Sequence, residues 1–319
     1  MKQIIIKKGI KAISFVITLL LVLLLLSLFF RPKESENFKA NDIKPLGVLA
    51  EAENSLDVLF FGDSEAYTSF SPISFWDKEG FSSFVCASSA QYLSLTKSFV
   101  EQALENQSPK VVVIETNAFF RKIRSENSFW TRFENLFSIL EYHNRWKNFI
   151  PLKIEATPYS WKDDLKGYKI YKMAVKCKCK DYMQKTDQIE SIPETNIQYV
   201  KDIVNYCKDK NIEVLFVSTP SIKNWNYERH NAVENLAKEV GADYLDLNLQ
   251  ESIKINWKTD TADAGDHLNF KGAEKVSTFI APYLAEKYNL ENKKGNSEFE
   301  EWNKLVSKYQ MIFDKKSYA

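Results

Sequence analysis

Charge of either sign is not in excess in this 319-residue chain: Lys and Arg number 43, Asp and Glu 42, and the formal net charge is +1. So balanced a composition projects no global field towards a polyanion, and nucleic-acid binding is set aside. Histidine is scarce, with only His143, His230 and His267, so any chemistry that needs an imidazole must draw on one of these three. Cysteine is nearly as sparse, at Cys86, Cys177, Cys179 and Cys207, with no Cys-x-x-Cys pair. Cys177-Lys178-Cys179 sits among lysines that disfavour a cation, which argues against a metal or redox site and for incidental or structural cysteine. An oxidising exterior would permit bridges, but the spacing does not say which. No internal repeat is evident.

Apolar residues are plentiful: 45% of the chain is hydrophobic and 14% aromatic, enough for one large α/β domain or two small ones. The uncharged run from Ile13 to Phe30 would form a helix about 27 Å long at ~1.5 Å per residue, close to the hydrocarbon thickness of a bilayer. Lys2, Lys7, Lys8 and Lys11 precede it, and only Arg31 and Lys33 follow closely, so the positive-inside bias places the N-terminus in the cytoplasm and the remainder outside. A cleaved signal peptide is the competing reading. Its apolar region is usually shorter and ends in small residues, whereas this one ends Leu28-Phe29-Phe30-Arg31-Pro32, which favours an uncleaved anchor. The expected organisation is a cytoplasmic tail at 1–12, an anchor at 13–30, a polar linker at 31–54, an α/β domain at 55–290 and a C-terminal extension at 291–319.

Short apolar runs at 56–61, 111–115 and 213–218 read as buried strands, with a shorter one at 243–247 and a weaker one at 81–86. Helical stretches alternate with them at about 92–106, 195–210, 228–240 and 271–288. This alternation predicts an α/β fold with a mainly parallel sheet covered by helices on both faces, and with ligands outside the carboxyl ends of the strands. Residues 120–194 are rich in Trp, Phe, Tyr and Lys, show no clear strand and are too long for an ordinary connection; they read as an inserted cap. The extension carries one further helical stretch, EFEEWNKLVSKYQMIF.

Gly62-Asp63-Ser64-Glu65 follows the first strand directly, a position that exposes a hydroxyl and turns backbone N–H groups towards an anionic oxygen. A serine hydroxyl needs a base, and the base needs a carboxylate to orient it. His267 lies in the polar turn before the last helix, whereas His230 begins a helix and is expected to be solvated. His143 and Arg145 fall in the cap, where they are candidates for substrate contact.

These residues resemble SGNH (GDSL-like) hydrolases, in which a Gly-Asp-Ser serine near the N-terminus pairs with a carboxylate and a histidine in one loop near the C-terminus. The resemblance covers about 56–117 and 213–288. It implies a three-layer flavodoxin-like fold, Ser64 as nucleophile, His267 as base, Ser88 and Asn117 as oxyanion donors beside the Ser64 N–H, and no cofactor or metal. The sequence departs from the family pattern. The second block lacks glycine, the third has Glu115-Thr116 before its asparagine, and the usual aspartate position is Ala264. Asp263 is preferred as the orienting carboxylate, with Asp266 as the alternative. The layout further resembles membrane-anchored members that O-acylate envelope polysaccharide or serve teichoic-acid D-alanylation, often with an integral-membrane O-acyltransferase as partner. Esterase and transferase share an acyl-serine intermediate and are not separable by residue type. A non-catalytic binding or scaffold protein on the same fold is the alternative, favoured by the unusual second and third blocks.

Overall fold

The computed structural model describes residues 2–30, 44–122, 163–178 and 181–313. The chain divides into two compact units; helix α1 (Lys2–Phe30) lies in the first, and every other described element lies in the second. Within α1, residues Lys7–Ser27 are long and apolar enough to cross a membrane or to serve as a signal sequence. From Ala12 to Ser27 the helix carries no charged residue, and Ile13, Phe15, Leu21 and Leu25 are each more than half exposed.

In the second unit, five strands pair in parallel: β1 (Val58–Gly62), β2 (Ser83–Ala87), β3 (Val111–Glu115), β4 (Glu213–Ser218) and β5 (Asp243–Asp246). Their spatial order is β2-β1-β3-β4-β5, the flavodoxin-like arrangement. Side chains alternate between faces along each strand, so the sheet divides the core in two. Leu59, Phe61, Val112, Ile114, Val214 and Phe216 pack on one side against α4 (Leu93–Asn106), α5 (Glu194–Asp209) and α6 (Tyr227–Val240). On the other side Phe60, Val113, Leu215 and Val217 meet α2 (Ser64–Ser69) and α7 (Phe270–Lys287). The five expected strands and four expected helices are all present, with ends displaced by a residue or two.

The remaining segments join this body more closely than their composition suggests. Lys44–Ala50, placed in the linker by its polarity, forms a 3-10 turn against β2, and Glu51 makes a buried ion pair with Lys166 at 2.7 Å. The C-terminal helix α8 (Glu300–Phe313) buries Trp302, Leu305 and Tyr309, and Trp302 lies 5.3 Å from Trp76 of α3 (Pro72–Glu79), ring centre to ring centre. The extension therefore helps to form the core.

Of the expected cap, 163–178 and 181–193 contain neither α-helix nor strand; 166–175 runs as a strap from the free edge of β2, past α2, to the segment that leads into α7. Backbone bonds hold it: Val85 N to Lys166 O at 2.9 Å, Lys169 N to Tyr67 O at 2.8 Å, Phe270 N to Tyr171 O at 2.9 Å and Val175 N to Thr261 O at 3.1 Å. Gly167, at φ +87°, lies so close to β2 that an added Cβ would stand 2.0 Å from the Val85 carbonyl oxygen. The central part of the cap, including His143 and Arg145, lies outside the described residues.

Candidate active site

From Leu56 to Trp76 every residue is buried except Ser64. The chain leaves β1 at Gly62, where a Cβ would meet Glu115 Cβ at 2.7 Å and Ala66 Cβ at 2.9 Å, so only glycine lets β3 and the start of α2 close together. Asp63 caps α2 by accepting from Glu65 N at 3.0 Å. Its other oxygen accepts from Arg121 Nη2 at 2.7 Å and Asn117 Nδ2 at 3.0 Å, so this fully buried carboxylate is neutralised in place. The turn is locked from behind, and the Ser64 hydroxyl is left on the surface of the sheet's carboxyl end.

His267 is brought to that hydroxyl by the loop between β5 and α7. Its Nε2 lies 2.8 Å from Ser64 Oγ, and its Nδ1 lies 2.5 Å from Asp263 Oδ2. Asp263 also accepts the His267 backbone N–H at 2.7 Å. Since an ionised carboxylate only accepts, Nδ1 carries the hydrogen and Nε2 is left to receive the Ser64 proton. Left-handed backbone at Ala264 and Gly265 folds the loop sharply enough for Asp263 to reach back to the ring.

Asp266 is the lesser partner: its Oδ1 is 3.9 Å from His267 Nδ1 and accepts from Asn224 Nδ2 at 2.6 Å. The same amide donates to Glu65 Oε1 at 2.6 Å, tying the residue after the nucleophile to the histidine loop. Arg229 continues this network, donating to the Asn224 carbonyl at 2.6 Å and to Asn117 Oδ1 at 3.3 Å. Burial pushes the Glu65 carboxyl well above the usual carboxylate range, and the nearby Asp63 and Glu115 push it further. Glu115 is raised in the same way, first by burial and then by Asp63. Oxygens of Glu65 and Asp266 and a nitrogen of His267 lie within 4.8 Å of one another, but both imidazole nitrogens are already engaged by Ser64 and Asp263, so this trio does not form a metal centre without dismantling that relay.

Two sequence expectations meet different surroundings. The Ser88 N–H and hydroxyl both donate to Gln91 Oε1, at 2.9 and 3.0 Å, so neither points freely towards an oxyanion at Ser64. Asn117 stands as expected after β3, and one of its two Nδ2 hydrogens goes to Asp63. His230, expected in solvent, is instead partly buried, with Nδ1 2.9 Å from Asp246 Oδ2. Cys86 and Cys207 are buried free thiols. The supporting residues Arg121, Asn224 and Arg229 escaped sequence reasoning because each is a single polar residue in a loop or on a helix, with no spacing to mark it.

No protein-family model matches the chain, and no curated protein matches it in sequence. Solved structures do resemble it. A GDSL-like lipase from Bacteroides thetaiotaomicron is 12% identical with a TM-score of 0.39, covering 76% of this chain and 95% of its own. A psychrotrophic esterase from Pseudoalteromonas is 9% identical with a TM-score of 0.40, over 73% of this chain and 98% of its own. The lipase/acylhydrolase from Enterococcus faecalis is 9% identical with a TM-score of 0.39, over 73% and 96%. The structural neighbours of this five-stranded α/β fold are thus GDSL-like lipases and acylhydrolases.

Proposed function

We propose that the chain is a serine-dependent acyl-transfer enzyme in which Ser64 attacks an ester carbonyl and carries the acyl group. The single observation that carries this reading is the Ser64–His267–Asp263 relay, with hydrogen-bond distances of 2.8 and 2.5 Å between groups 203 and four residues apart in sequence. As the Ser64 oxygen bonds to the carbonyl carbon, its proton passes to His267 Nε2, and Asp263 stabilises the resulting imidazolium. The Ser64 N–H and the second Asn117 Nδ2 hydrogen are the proposed donors to the tetrahedral oxyanion. Collapse expels the alcohol, which takes the proton back from His267. Water or a sugar hydroxyl then attacks the acyl-serine by the same route in reverse.

The lysines that precede the apolar run within α1, and the length of that run, support a membrane-anchored domain outside the cytoplasm, and that placement favours envelope polysaccharide or its acyl ester as substrate. An integral-membrane O-acyltransferase would be the natural acyl donor. The engagement of Ser88 by Gln91 favours a second reading, a non-catalytic scaffold with an incomplete oxyanion site.

Labelling with a fluorophosphonate probe separates the two. Wild-type protein is expected to label, and Ser64→Ala and His267→Ala to lose labelling while remaining folded. A folded wild type that never labels would overturn the enzyme reading. Following acetyl from a nitrophenyl ester onto oligosaccharide or into water then distinguishes transferase from esterase.

A further inference from the structure

Lys169, on the strap, packs on two tyrosines, and no carboxylate or hydrogen-bond acceptor meets its ammonium among the described residues. Its Nζ stands 5.5 Å from the ring centre of Tyr67 and 5.4 Å from that of Tyr171, within cation–π range of both. Each tyrosine neighbours a residue of the proposed relay. Tyr67 is on α2, three residues beyond Ser64 and therefore on the same side of the helix. Tyr171 meets the His267 ring edge to face at 6.3 Å.

This arrangement is held from several sides. The Lys169 backbone N–H donates to Tyr67 O at 2.8 Å, the Phe270 N–H donates to Tyr171 O at 2.9 Å, and the Tyr67 hydroxyl is 3.0 Å from Ser89 Oγ. The carboxylates closest to the imidazole are committed elsewhere. Asp263 serves His267, while Asp266 takes Asn224 and lies 3.8 Å from Lys223. Two aromatic faces hold the ammonium in place without neutralising it, because a ring quadrupole attracts a cation but brings no net charge. The site therefore keeps one positive charge for a ligand.

Building on the Ser64 reading, we propose that Lys169 binds an anionic oxygen group of the substrate, so that the preferred ester carries a carboxylate or phosphate close to the scissile carbonyl. The anion approaches between Tyr67 and Tyr171, and the aromatic pair fixes the lysine so that little rotamer freedom is lost on binding.

Full-length protein in non-ionic detergent tests this with mono-4-nitrophenyl succinate and its neutral methyl-capped counterpart. The wild type should favour the anionic ester by about tenfold in kcat/KM, mainly through KM, and less so at high salt. Lys169→Met keeps the stem and should erase that preference while changing turnover of the capped ester by less than about twofold; Lys169→Arg should restore it. No preference in the wild type, or an unchanged preference in Lys169→Met, would overturn the proposal. A second arm does not depend on turnover: calorimetric binding of monomethyl succinate and of methyl phosphate to Ser64→Ala and to Ser64→Ala/Lys169→Met. Weaker binding to the double variant supports the anion site, and the two probes separate carboxylate from phosphate. Equal binding of both probes to the two variants defeats it. If neither ester is turned over, the Ser64 reading falls, and the binding arm alone decides whether Lys169 receives an anion.

Discussion

Asp263 grips His267 twice: Oδ1 takes the backbone N–H at 2.7 Å, and Oδ2 stands 2.5 Å from the ring Nδ1. One carboxylate thus shapes the loop and fixes the tautomer. Asp263→Asn retains an oxygen for the backbone bond but no longer guarantees a hydrogen on Nδ1, so turnover of a nitrophenyl ester should fall by about 10⁴ with the fold intact. Asp266→Asn, 3.9 Å from the ring nitrogen, should cost less than about tenfold. Equal losses in the two variants would show that Asp263 is not the orienting group.

Gly62 is where β1, β3 and α2 meet most tightly. Gly62→Ala places a methyl group 2.7 Å from Glu115 Cβ and 2.9 Å from Ala66 Cβ, so either the sheet or the nucleophile turn must shift. Overpacking of this kind costs about 1–3 kcal/mol. Urea unfolding should show that loss, and fluorophosphonate labelling should slow by more than the loss of folded protein accounts for.

Glu65 offers a test through pH. Its folded-state affinity for a proton is raised by burial, then by Asp63 and Glu115, whereas an unfolded glutamate titrates near about 4.3. Above that pH the folded protein holds a proton that the unfolded chain has released, so the contribution of Glu65 to stability falls as pH rises. Glu65→Gln has no proton to lose and keeps an oxygen for Asn224. Its melting temperature should match that of the wild type near pH 4 and exceed it increasingly as the pH rises above that range. A difference that stays constant with pH would show that Glu65 is ionised in the folded state.

Trp302 tests whether the C-terminal helix is part of the core. It is 6% exposed, stacks near Trp76 and lies under the Lys166 ammonium, whose centre is 5.1 Å from its ring. Trp302→Ala should destabilise the domain by about 3–5 kcal/mol in chemical denaturation, as do other large-to-small changes of buried aromatic residues. A change below about 1 kcal/mol would mark α8 as a detachable appendage.

Local chemistry alone determined a good deal of this protein. Runs such as Val111–Glu115 read as buried strands, because four consecutive apolar residues on a pleat need cover from both sides, and their alternation with amphipathic helices pointed to a parallel sheet. Ser64 was legible as a candidate because Gly-Asp-Ser ends a strand, and His267 because only three histidines were available and only one lay in the polar turn before α7. What the sequence left open was whatever depends on distances between remote segments. Asp263 was chosen over Asp266 by the left-handed bend at Ala264 and Gly265, which carries one carboxylate to the ring and leaves the other with Asn224. Packing of the strap on α2 placed Lys169 between two tyrosines, and packing of Trp302 on Trp76 turned a polar-looking tail into core. The physical reason is the same in each case: periodicity and turn chemistry act over a few residues, whereas the partner of a lone charged or aromatic side chain is set by the folded path of the whole chain.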